Sequence, residues 1–323
     1  MRKTARTALT GAAVPAALAL PALAGCSGTD RGEGAHRPAG TGGSQVPGGA
    51  GGTAPGSARP SAPGASHPSA SGRPSRTSGP GSPAASGGPR KALWRPRPGL
   101  TWQWQLDGRV DPSIDVPVYD IDGFENSAAD VERLHRAGRK VICYVNVGSW
   151  EDFRPDKDAF PRSLLGAANG WKGERWLDIR RLDVLRPIME RRFDMCRDKG
   201  FDAVEPDLVE GYGNRTGFPL TARDQLRYNR MIAAMAHERG LSVGLKNDLP
   251  QIPELVGDFD FAVNEECAQY GECARLTPFI EAGKAVFHVE YAEPTSSFCS
   301  QSRRLHLSSM LKKPELDPWR KPC

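Results

Sequence analysis

From residue 100 onward, each segment that reads as a β-strand runs out into a carboxylate, an amide or a lysine: Gln105, Asp120, Asn146, Asp178, Asp207, Lys246, Glu265 and Glu290. The strands are expected at 101–105, 116–120, 140–146, 175–179, 203–207, 242–246, 259–265 and 285–290. Between them, residues 128–137, 184–199, 222–239 and 274–282 place apolar side chains three and four apart, the spacing of one helix face. The helices run into Gly138, Gly200, Gly240 and Gly283, and glycine takes the left-handed turn past a helix end cheaply. Alternating strands and helices imply a parallel sheet. A stretch of about 230 residues built this way predicts a single α/β domain, a (β/α)8 TIM barrel, with its polar strand ends gathered at one rim. The structural rival is a doubly wound open sheet, which would normally carry a glycine-rich phosphate turn. The chain has no GxGxxG, Walker loop or GxSxG elbow; its nearest serine context is Val147-Gly148-Ser149-Trp150.

The barrel is expected over residues 93–323, behind a leader and a tether. Arg2, Lys3 and Arg6 precede an apolar run that closes on Leu23-Ala24-Gly25-Cys26, so residues 1–26 read as an export signal. The ending resembles a bacterial lipobox, which would make Cys26 the lipidated first residue of the mature chain; in the alternative, an ordinary secretory signal, Cys26 is incidental. Residues 27–92 are almost entirely Gly, Ser, Pro, Ala and Thr, a composition unable to bury enough apolar surface to offset its ordering entropy. As a flexible tether they span roughly 40–50 Å. The expected location is the outer face of the cell membrane, lipid-anchored, or the medium if secreted, with no contact with the membrane beyond the anchor.

Charge divides at the same boundary. Residues 1–91 carry a net +8 and the remainder −3, within a whole-chain +5. The basic balance belongs to the leader and tether, so it offers no argument for a nucleic-acid partner. A mildly acidic domain favours a cationic or neutral ligand, and a monomer is expected. Besides Cys26 there are six cysteines, enough for up to three disulfides in an exported chain. Proximity favours Cys267 with Cys273 and Cys299 with Cys323, whereas a bond from Cys143 to Cys196 would join a strand to a helix, and the sequence leaves it open. No HExxH or paired CxxC occurs, and neither a metal nor a cofactor is expected.

The densest chemistry lies in Asp202-Ala203-Val204-Glu205-Pro206-Asp207-Leu208-Val209-Glu210-Gly211-Tyr212. Side chains two apart on a strand share a face, so Glu205 and Asp207 point together, toward the barrel axis if Val204 packs outward. Two inward acids repel one another unless a cation or a hydroxyl- and amine-rich substrate satisfies them. The bland alternative pairs Glu205 with Lys246 and makes Asp207 a turn cap. A second cluster, Asn264-Glu265-Glu266-Cys267, ends a strand two places further on. Glycoside hydrolysis needs two carboxyl groups flanking the scissile bond, one ionised and one protonated, and Asp207 with Glu265 fits that need. Alternatively, Glu265 or Glu266 is a solvated rim charge.

Groups expected to bind substrate around the pair are Trp104, Tyr119, Asp120, Asp122, Tyr144, Glu205, Tyr212, Lys246, Asn247 and Glu290. Aromatic rings pack on the flat face of a pyranose, while acids and amides bind its hydroxyls. For Trp102 and Trp104, core packing is the commoner role.

Trp102-Gln103-Trp104-Gln105, Tyr119-Asp120-Ile121-Asp122, Val141-Ile142-Cys143-Tyr144, Glu174-Arg175-Trp176-Leu177-Asp178, the 202–212 run, Gly244-Leu245-Lys246-Asn247 and Asn264-Glu265-Glu266-Cys267 together resemble glycoside hydrolase family 114. The likeness covers essentially all of residues 99–291. It implies a TIM barrel acting as an endo-α-1,4-polygalactosaminidase on polygalactosamine or galactosaminogalactan, with the nucleophile at Asp207 and the acid/base at Glu265. A polymer of free amines would suit Asp120, Asp122, Glu205 and Glu290 as ammonium partners. The family usually has asparagine after the nucleophile and aspartate before Gly-Tyr, where this chain has Leu208 and Glu210. The alternatives are a non-catalytic polysaccharide-binding lipoprotein on the same barrel, or a glycosidase for another α-linked polymer. A retaining mechanism, with carboxyl groups about 5–5.5 Å apart, is preferred to an inverting one at about 6.5–9.5 Å.

Overall fold

A computed structural model describes residues 93–323, so the leader, Cys26 and the tether lie outside the described residues. Along the chain, β1 (Trp102–Gln105) and β2 (Val118–Asp122) lead to α1 (Ala128–Arg136) and β3 (Lys140–Asn146). Three short strands follow, β4 (Ser149–Glu151), β5 (Leu165–Ala168) and β6 (Glu174–Leu177). Then come α2 (Leu182–Asp198), β7 (Ala203–Asp207), α3 (Ala222–Glu238), β8 (Ser242–Lys246), α4 (Ile252–Leu255), β9 (Phe261–Glu265) and α5 (Thr277–Glu281). The chain finishes with β10 (Val286–Glu290), α6 (Thr295–Arg304), β11 (Ser308–Leu311) and β12 (Lys321–Pro322).

Eight strands form one curled parallel sheet in the order β1-β2-β3-β7-β8-β9-β10-β11, and β12 adds an antiparallel edge. No ladder joins β11 back to β1. Instead Trp102 Nε1 donates to Ser308 O at 2.8 Å, and Leu316 O accepts from the backbone of Leu106 and Asp107 across the seam. The helices start where the sequence supplies caps: Ser127 with Asp130 closes a capping box on α1, and Thr221 with Asp224 does so on α3. Gly138, Gly200, Gly240 and Gly283 all take the left-handed conformation expected of them.

One strand assignment is overturned. Residues 175–179 do not enter the barrel; β6 pairs antiparallel with β4 and β5 in a separate three-stranded annex between β3 and β7. Asp178 there forms a two-pronged ion pair with Arg180, at 2.7 Å for each contact. The eighth barrel strand is β11, reached through α6, and neither was expected.

Strand parity sorts the interior. Val141, Cys143, Val145, Val204, Val243 and Leu245 face outward onto α2 and α3, while Trp102, Trp104, Ile142, Ala203, Phe261 and Phe287 fill the barrel. Cys143 therefore points at α2, and it is bonded to Cys196; Cys267–Cys273 and Cys299–Cys323 are the other disulfides. Three disulfides fit a protein matured in an oxidising compartment. Among the described residues, no helix is long and apolar enough to cross a membrane.

Candidate active site

Period-two alternation brings Glu205, Asp207, Lys246 and Glu265 to the inner face at the carboxyl ends of β7, β8 and β9. Lys246 is their hub. It is 1% exposed, and its Nζ lies 3.0 Å from Asp207 Oδ1, 3.1 Å from Glu205 Oε1 and 3.3 Å from Glu265 Oε2. The ammonium also sits 4.7 Å from the centre of the Trp104 ring, whose Nε1 donates to Glu205 Oε2 at 3.1 Å.

The two outer carboxylates are held from their other sides. The Tyr144 hydroxyl donates to Asp207 Oδ2 at 2.8 Å, and the Tyr291 hydroxyl donates to Glu265 Oε1 at 2.5 Å. Asn247 clamps Glu265 further, accepting from its backbone N–H at 2.9 Å and donating to Oε2 at 3.4 Å. Burial opposes ionisation of Asp207, but the Lys246 ammonium and the Tyr144 hydroxyl outweigh it and hold the carboxyl below the usual range. Below them, burial and the Glu205 charge push Asp120 well above the ordinary aspartate value, and burial also raises Glu205 despite Lys246. Burial would discharge Lys246, yet Asp207, Glu205 and Glu265 together keep it firmly protonated.

The left-handed residues Leu208, Asn247 and Glu266 follow directly on Asp207, Lys246 and Glu265, turning the chain away as soon as each functional side chain is delivered. At β7 the turn is tight, since a Cβ on Gly148 would fall 1.8 Å from Leu208 O. Gly148 also donates its N–H to Asp207 O at 3.1 Å.

Several residues expected to touch substrate sit elsewhere. Tyr119 faces outward, donating to Ile114 O under the Arg139 guanidinium. Glu290 also faces outward and accepts from Ala268 N at 2.7 Å, with His288 Nε2 at 2.8 Å. Asp122 points inward but is covered by Arg154, which grips both its oxygens at 3.0 and 2.7 Å. Trp104, Asp120 and Glu205 are fully buried beneath the carboxylates and shape the floor rather than the rim. Tyr144, Lys246 and Asn247 do converge on Asp207 and Glu265, and Tyr212 is half-buried on the loop after β7.

Two neighbours escaped the list. Tyr291 continues the inward parity of Phe287 and Val289, so the residue beside Glu290 was the one to choose. Glu210 lies on the β7 loop, where burial and the Asp207 charge push its carboxyl well above the usual value. The annex supplies a further acid, Glu174, whose Oε2 accepts from Ser149 Oγ at 2.9 Å and from Asn146 Nδ2 at 3.3 Å.

A parallel barrel with its polar chemistry collected where the strands end has the layout of an α/β-barrel enzyme. Residues 84–323 match the glycoside-hydrolase family GH114, and the chain belongs to that family. The crystal structure of Aspergillus fumigatus Ega3 in complex with galactosamine is similar at 40% identity and a TM-score of 0.68, covering 72% of this chain and 98% of that one. The glycoside hydrolase domain of PelA from Pseudomonas aeruginosa shares the fold, with 15% identity, a TM-score of 0.55, and coverage of 68% of this chain and 97% of that domain. No curated protein matches the chain.

Proposed function

We propose that the protein is an endo-acting glycosidase that hydrolyses α-1,4-linked galactosamine polymers, with Asp207 as nucleophile and Glu265 as acid/base. The observation that carries this is the shared Lys246 ammonium, which ties both carboxylates to one point on the rim. Asp207 Oδ1 and Glu265 Oε2 lie 3.0 and 3.3 Å from it, so they are separated by no more than those two contacts laid end to end. Facing oxygens held this close are compatible with a retaining pair, whose carboxyl groups lie about 5–5.5 Å apart. Glu265 takes up a proton as substrate binds; Asp207, ionised, then attacks the anomeric carbon while the bond to the leaving oxygen breaks and that oxygen takes the proton from Glu265. Glu265 then removes a proton from water as the water displaces Asp207, returning both groups to their starting states. The family match and the likeness to Ega3, solved with galactosamine, support the substrate class. A site with more acids than bases also suits a polymer of ammonium-bearing sugars.

The test is to size the products from defined galactosamine oligomers, free and N-acetylated. Asp207→Asn and Glu265→Gln should each lower turnover about a thousandfold or more while largely keeping affinity. Full activity in either variant sinks the assignment of that residue, and binding without turnover by the wild type would leave a polysaccharide-binding protein. Anchoring through Cys26 belongs to the same proposal: Cys26→Ser should release the protein from the membrane fraction, and unchanged fractionation would refute it.

A further inference from the structure

We propose that Trp171, on the annex, is the platform of a distal sugar subsite that holds a further residue of the galactosamine polymer beyond the two flanking the cleaved bond. This rests on the glycosidase reading above and extends it to a position on the chain that no catalytic argument uses.

Trp171 is 59% exposed, the most exposed of the large apolar side chains described. Among the other exposed aromatics described, Arg154 lies over Phe153 and Lys313 over Trp319, while Tyr270, on the turn after β9 and away from the annex, has no such contact either. The Trp171 indole has no ring or cation partner among the described residues. An unpartnered indole gains most from a ligand with a flat apolar face, and a pyranose ring presents one.

Its position is fixed relative to the catalytic rim by a short relay of hydrogen bonds. Asn146 pairs in register with Asp207 and donates to Glu174 Oε2 at 3.3 Å. Asn169 Nδ2 donates to the same oxygen at 2.9 Å, and its own Oδ1 accepts from Trp171 N at 3.0 Å. Glu174 N then donates to Trp171 O at 3.2 Å, closing the turn. The Glu174 carboxyl feels the charge of Asp207, which helps raise it after burial itself. Meanwhile the annex leans on the loop leaving β7: Ala167 N donates to Thr216 O at 2.7 Å, and a Cβ on Gly211 would lie 3.5 Å from the Trp176 ring. The annex is therefore tied both to the strand end paired with Asp207 and to the loop that leaves Asp207, and Trp171 stands on its β5–β6 turn. An enzyme that cuts within a polymer needs such contacts away from the reacting atoms, because remote binding energy aligns the chain.

The experiment compares kcat/KM for the full-length protein on long galactosamine polymer and on the shortest oligomer the wild type cleaves. Trp171→Ala should lose about tenfold on the polymer and stay within about twofold on the short oligomer, while Trp171→Phe keeps most of the polymer rate. Equal loss on both substrates would mark a structural fault in the annex and overturn the subsite, as would an undiminished polymer rate. If the wild type cleaves neither substrate, the functional reading itself has failed and the subsite falls with it. Cleavage by the wild type with no effect of Trp171→Ala removes the subsite alone.

Discussion

Lys246 Nζ lies 3.0 Å from Asp207 Oδ1, inside a barrel that leaves the lysine 1% exposed. Little water reaches the contact; burial acts most on Asp207 and raises it, and the Lys246 charge leads the causes that together outweigh burial. Lys246→Met keeps the bulk and removes the charge. It should cost about 100-fold or more in kcat/KM and move the acidic limb of the pH–rate profile to higher pH, because the main cause lowering Asp207 is gone. Stranding Glu205 without its counter-ion should also destabilise the fold by about 3–5 kcal/mol. The wild-type ion pair contributes stability at pH values above the unfolded aspartate value of about 3.9 and loses it as pH falls through the lower folded value. Urea melts and pH–rate profiles of both proteins check this; an unmoved acidic limb would refute it.

Asp248 behaves in the opposite sense. Burial pushes it up to about 8 despite hydrogen bonds from Tyr212 and Asn229. From the unfolded value of about 4 up to the folded value, the native state holds the extra proton, so this group's contribution to stability falls as pH rises. Asp248→Asn has no proton to lose and suits the left-handed backbone there, at φ 46. Its stability advantage over wild type should grow between pH 5 and 8 by roughly 3–4 kcal/mol. Parallel denaturation curves at the two pH values would show otherwise.

Leu208 occupies a left-handed backbone at φ 60, which costs a non-glycine residue about 1–2 kcal/mol and asparagine less. The asparagine that the family resemblance leads one to expect here would suit this backbone better than leucine does. Leu208→Asn should raise stability by about 0.5–1 kcal/mol, or roughly 1–4 °C in Tm, with kcat within about twofold. A lower Tm in calorimetry would show that packing of the leucine outweighs its strain.

The Cys143–Cys196 bond closes a loop of 53 residues between β3 and α2. Replacing both cysteines with alanine should cost about 2–4 kcal/mol, read from urea midpoints under non-reducing conditions. Equal midpoints would mean that the packing of β3 on α2 suffices.

The Cys143–Cys196 bond was left open by sequence spacing because proximity along the chain says nothing about parity. Once Ile142 and Tyr144 point inward, Cys143 must point at the helix. Parity also misdirected two site residues, since Tyr119 and Glu290 each neighbour an inward position without occupying one. The glycine-ended helices and β7 to β9 were legible because their patterns are local. β11 was not: Ser308 and Ser309 interrupt its apolar pattern, and α6 opens Thr-Ser-Ser with little hydrophobic stripe. The annex misled in another way, because Glu174–Leu177 is a genuine strand and only its partners betray that it lies outside the barrel. Asp122 shows the same limit, as nothing near it in sequence announces Arg154.

The seam between β1 and β11 is bridged by residues from the far end of the chain, and Cys323 is bonded back to α6. Trp102 must meet Ser308, and Leu106 and Asp107 must meet Leu316, before the cylinder is whole. Closure of the cylinder therefore waits until residues 308–323 are made and an oxidant has joined Cys299 to Cys323. Removing residues 308–323 would take out the keystone of the assembly and leave the β1 edge open.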